Sequence, residues 1–223
     1  MKKVNKILCA GFASMVCVLS LTGCGQKGEE IQVISCVADE EESKGMWYEF
    51  VLAEDGKTVN QFVNHIGVDR DFMINNLVFE DGNKLETEEE LEWAWTFLSK
   101  YYSGMIDNFI SDIEESSWLL CDWDGNIENL TLELVWGVDL TDESLDLEDE
   151  TTRNKMDVLF CANPDVFYNE SEKCYQVSAD LLEENLLTGD EYNLLCSNKI
   201  VKNVDDLEFN KLLKRVEENK ASE

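Results

Sequence analysis

The chain has 223 residues with 18 Lys and Arg against 48 Asp and Glu, a formal charge of −30 at pH 7. So acidic a surface is repelled by nucleic acid and by anionic polymers, and points any charged partner toward the cationic side. One Pro, 12 Gly and six Trp, with 44% hydrophobic residues, exclude a low-complexity or disordered chain.

Lys2, Lys3 and Lys6 precede an apolar run from Ile7 to Leu21 that is too short to span a bilayer and ends in small residues, as a secretory signal does. The stretch Leu21-Thr22-Gly23-Cys24 resembles a bacterial lipobox. The resemblance implies cleavage before Cys24 and acylation of its thiol, with residues 1–23 as leader and 24–30 as a lipidated tether. Two acyl chains at about 0.8 kcal/mol per buried CH₂ would hold the protein stably on a membrane. Losing three lysines with the leader leaves 15 basic residues against 48 acidic ones.

Residues 31–223 read as one extracytoplasmic domain, with the acidic stretch at 139–155 as an internal boundary if there is one. Ile31–Ala38 reads as a strand, and Met46–Ala53 with Lys57–Ile66 as a β-hairpin around Glu54-Asp55-Gly56. Gly56-Lys57-Thr58 matches the end of a phosphate-binding loop, but Val51 stands where its first glycine belongs.

The strongest local signal is a helix from Glu88 to about Glu115. Thr87 and Glu90 make a capping box, and Glu88, Glu89 and Glu90 put negative charge at the helix's positive end. At about 100° per residue, Leu91, Ala94, Trp95, Leu98, Tyr102, Met105, Ile106, Phe109 and Ile113 form one core-facing stripe. Trp93, Phe97 and Tyr101, spaced i, i+4, i+8, form a second stripe on another side. Burial on two sides is one reading of it. The other is an exposed aromatic surface for a sugar, a peptide or a partner helix.

Ser117–Trp123 and Ile127–Val138 read as a second hairpin turning at Asp124-Gly125-Asn126. Leu130, Leu132, Leu134, Trp136 and Val138 alternate with Asn129, Thr131 and Glu133. Met156–Ala162 and Glu172–Val177 read as a third strand pair. A short helix is expected from Ala179 to Leu187, capped by Ser178, and a last helix from Asp205 to Asn219, acidic at its start and basic at its end. The fold class is therefore α+β: antiparallel hairpins forming a sheet, with one long amphipathic helix packed on it.

The chemistry is sparse. His65 is the one histidine, with no nucleophile signature around it, and so reads as a strand residue rather than a catalyst. Carboxylate pairs for a hydrolase carry no signal among 48 acids. Asp122, Asp124, Asn126 and Glu128 resemble the middle of a calcium loop, yet Leu120 and Thr131 stand at its two ends, and Asp-Gly-Asn is ordinary hairpin chemistry. No cofactor is expected, calcium being the one alternative. Of eight cysteines, Cys36, Cys121, Cys161, Cys174 and Cys196 remain after the leader and Cys24. Free thiols are expected, or one bridge between Cys161 and Cys174.

The lipobox, the acidic strand-rich body and the stretch from Leu130 to Leu140 are similar to YehR-type small bacterial lipoproteins. The likeness carries no diagnostic motif and brings no functional residues with it. Together these readings lead to a lipid-anchored protein on the extracytoplasmic face of the cell membrane with a non-catalytic binding or scaffolding role. Its expected partners are the membrane, through Cys24, and a cationic or aromatic-binding protein, peptide or glycan, through Trp93, Phe97 and Tyr101. Nucleic acid is excluded. A calcium-dependent module and a carboxylate hydrolase are the alternatives.

Overall fold

The computed structural model describes residues 30–38, 45–77, 82–113, 117–160, 166–186 and 194–221, without the side chains of 105–113 and 157–158. Cys24 and the leader lie outside the described residues. Six strands form one antiparallel sheet in the order β4-β5-β3-β2-β1-β8. They are β1 (Ile31–Ala38), β2 (Met46–Leu52), β3 (Val59–Val68), β4 (Leu119–Asn126), β5 (Thr131–Asp139) and β8 (Leu194–Val201). A separate two-stranded ribbon joins β6 (Tyr168–Asn169) to β7 (Cys174–Tyr175). The helices are α1 (Arg70–Asn76), α2 (Glu88–Ile113), α3 (Glu150–Leu159), α4 (Ala179–Asn185) and α5 (Glu208–Ala221). The α+β class stands.

Both faces of the sheet are covered, as strand alternation requires. Tyr48, Phe50, Phe62, Leu132, Leu134, Trp136 and Val138 turn toward the main core, which also takes Leu91 and Trp95 from α2, Met156 and Leu159 from α3 and Leu182 from α4. Val63 and Val135 turn the other way, against Phe209, Leu212 and Val216 of α5. Gly137 makes that second layer fit. A Cβ there would lie 3.0 Å from the Phe209 ring and 3.1 Å from Leu212, so the bare backbone lets α5 settle onto β5.

Two side chains of the sheet hold the end of α3. Asn64, 1% exposed, donates through Nδ2 to the Leu159 carbonyl at 2.7 Å. Trp136, its neighbour across the β3–β5 pair, donates through Nε1 to the same oxygen at 2.8 Å. Both bonds satisfy a carbonyl that the helix end leaves without an intrahelical donor.

Several expectations are corrected. Residues 156–159, expected in a strand, close α3. Asp149 accepts from the Thr152 amide at 2.8 Å and starts the helix, and Met156, Leu159 and Phe160 are buried at i, i+3, i+4. The β4–β5 hairpin turns at Ile127–Leu130, not at Asp124-Gly125-Asn126. Asn126 Oδ1 accepts from the amides of Glu128 and Asn129 at 2.9 and 3.1 Å and sets the turn later. Gly125 stays in the strand, where a Cβ would meet Leu132 at 3.2 Å and the Trp95 ring at 3.4 Å. The elements α1, β6 and β8 were not anticipated, and β7, inside the expected Glu172–Val177 strand, pairs with β6 instead of with residues 156–162.

The thiols also differ from expectation. Cys36 and Cys196 face each other directly across the β1–β8 pair and form a disulfide, joining positions 160 residues apart. Cys174 carries a free thiol, so it does not bridge to Cys161, which lies outside the described residues.

Candidate functional site

The start of α2 is fixed from several sides. Glu90 accepts from the Thr87 amide at 2.8 Å and from that of Glu86 at 2.9 Å, while Thr87 Oγ1 accepts from the Glu90 amide at 3.3 Å. This is the expected capping box, and these hydrogen bonds to the charged form hold the Glu90 carboxyl below its ordinary range. Arg70 of α1 makes a bidentate ion pair with Glu88 and ties the two helices together.

Leu91, Ala94 and Trp95 then enter the core. Trp95 donates its indole N–H to the Thr131 carbonyl at 3.1 Å, fastening the helix to the β4–β5 hairpin end of the sheet. One and two turns further on, Leu98 and Tyr102 pack on the core's edge, the Tyr102 ring 6.2 Å from that of Trp123.

With that side of α2 buried, the second stripe faces outward. Trp93, Phe97 and Tyr101 are each 58% exposed. The Trp93 and Phe97 rings stack at 5.9 Å with planes 16° apart. Tyr101 meets Tyr102 edge to face at 5.5 Å, which joins the outer row to the inner one. Glu86, Glu89 and Glu92 are exposed at the N-terminal end of this surface, and Lys100 is exposed beside Tyr101. Chemically it offers flat apolar faces with negative quadrupoles, bordered by carboxylates. Such a surface suits stacking and cation–π contact.

The four residues of the calcium-like stretch are not brought together as a ligand set. Asp122 pairs through Oδ2 with Arg215 Nε at 2.6 Å and accepts through Oδ1 from Asn219 Nδ2 at 3.2 Å, both from α5. Asn126 Oδ1 is held by its own turn, and Asp124 and Glu128 are exposed. Among the described residues no group of three or more His, Cys, Asp and Glu is placed to hold a metal ion. Among them, too, no helix is long and apolar enough to cross a membrane.

The sequence did not reveal what fixes α5. Glu133 lies 3.0 Å from His65 Nε2 and 3.5 Å from Arg215, which also holds Asp122. The other ring nitrogen of His65 is 2.6 Å from the Gly45 carbonyl, and the ring stacks on Trp47 at 4.8 Å. The His65 hydrogen bond, more than the Arg215 charge, holds the Glu133 carboxyl below its ordinary range. At the other end of α5, Glu49 on β2 accepts from the Glu208 amide at 2.7 Å and caps the helix from outside it. Burial of Glu49 pushes its carboxyl above the ordinary range, and the Glu208 amide acts against that push. The only sequence trace of this network is Arg215 and Asn219 spaced i, i+4.

Compared with models of known families, with curated proteins and with solved structures, the chain matches none.

Proposed function

We propose that the chain is a lipid-anchored, extracytoplasmic lipoprotein with a non-catalytic binding role, held by acylated Cys24, and that the Trp93–Phe97–Tyr101 face of α2 is its ligand surface. The observation that carries this reading is the exposure of all three rings on a helix that buries Leu91, Ala94 and Trp95 on its other side. Exposed large aromatics gathered in one place mark interaction sites, whereas scattered ones do not. In this reading α2 is one long amphipathic helix packed on the sheet.

Two further features support the location. The n-region, apolar stretch and lipobox-like end agree with one another. The Cys36–Cys196 disulfide suits an oxidising compartment, since such bonds are rare where thiols are kept reduced.

The test of the anchor is fractionation of bacteria that make the full chain, with a labelled fatty acid in the medium. The wild-type protein is expected in the membrane fraction, labelled. Cys24→Ala is expected to be unlabelled and to leave that fraction. Label that persists in Cys24→Ala, or a wild-type protein that is soluble and unlabelled, would refute the anchoring.

A further inference from the structure

We infer that the aromatic face of α2 receives a basic amphipathic helix of a partner protein, approaching on the side away from the membrane to which this chain is tethered; this rests on the anchored-lipoprotein reading above. The first argument is where the tether joins the fold. From Cys24 to Ile31 the chain reaches at most about 25 Å, so the Ile31 end of β1 is kept near the lipid. Strand register places that end of β1 beside Val201, with Val33 in line with Val51, Gln61 and Asp139.

The α2 face belongs to the opposite end. Trp95 is fastened to Thr131, which pairs with Asn126 at the hairpin end, and Tyr102 stands over Trp123, which pairs with Leu134. The register puts Leu134 level with Ala38, the last residue of β1, and Thr131 three residues beyond it, about 23 and 33 Å from Ile31 along the strands at about 3.3 Å per residue. Rings at that distance stand well clear of the Ile31 end, so in this reading they are not held against the bilayer that carries the anchor.

The second argument is charge. With the leader removed, 15 basic residues against 48 acidic ones oppose a second copy of this chain and oppose anionic lipid, while they steer cationic partners inward. Locally, Glu86, Glu89 and Glu92 border the N-terminal end of the rings, with Lys100 at the other end. An amphipathic helix laid along α2 would set apolar side chains on Phe97 and Tyr101. It would set Lys or Arg against those carboxylates and the Trp93 face.

The experiment uses the full lipidated protein in zwitterionic vesicles. It is titrated with a helical peptide of Leu on one face and Lys on the other, and with a Glu-for-Lys counterpart. Binding of the Lys peptide is expected, weakened at least 10-fold by Phe97→Ala/Tyr101→Ala and weakened by salt, with no binding of the Glu peptide. Equal binding of both peptides, binding unchanged by the substitutions, or no binding of the Lys peptide would overturn the inference. So would concentration-dependent self-association lost in Phe97→Ala/Tyr101→Ala, which would make a second copy the occupant. A protein that stays on the vesicles yet binds no peptide keeps its anchor and loses its partner, so the two readings fail separately.

Discussion

Trp93 and Trp95 are two residues apart on one helix and have opposite surroundings. Trp95 is 4% exposed and hydrogen-bonded to the sheet, while Trp93 is 58% exposed. The wheel separated the two positions from sequence alone but left open whether the outer stripe was buried. That depends on what packs there, which helical spacing does not contain. Asp122 teaches the same lesson. Its neighbours in sequence resemble a calcium loop, yet its carboxylate is occupied by Arg215 and Asn219 from almost a hundred positions away. Millimolar calcium is therefore expected to leave the unfolding midpoint unchanged. A ligand at 100 times its dissociation constant would add about 2.7 kcal/mol. A rise in midpoint abolished by Asp124→Ala would restore the calcium reading.

Elements with a strong period and a clear start were legible, including β5, the first hairpin and the capped start of α2. Those that failed lacked one or the other. The apolar residues of α3 come late and close together, and Met156, Leu159 and Phe160 fit a short strand as well as a helix end. Only the Asp149 cap, hidden in an acidic run, decides between them. β8 lies at the sheet edge with most of its residues at least partly exposed, so it has no alternation to find. Its place is set by the disulfide and by Glu183 of α4, which accepts from the Cys196 amide at 2.6 Å. Closing a loop of 160 residues removes much unfolded-state entropy. Cys36→Ser/Cys196→Ser is expected to lose about 2–5 kcal/mol in urea unfolding, and an unchanged midpoint would show that the pairing is not formed in solution.

At the scale of the molecule, a sheet covered on both faces leaves an aromatic row of α2 on the outside, toward the end of the sheet opposite Ile31. The candidate surface was legible as three positions in the sequence. Its exposure and its distance from Ile31 were not, because the first follows from what packs on α2 and the second from strand register. The central claim is that these rings serve a ligand and not the fold. Urea unfolding of Trp93→Ala/Phe97→Ala/Tyr101→Ala, set beside Trp95→Ala, tests it most directly. The triple variant is expected to stay within about 1 kcal/mol of wild type, since exposed changes cost little and alanine favours the helix. Trp95→Ala alone is expected to lose about 3–5 kcal/mol. A triple variant as damaged as Trp95→Ala would place the rings in the core and contradict the account.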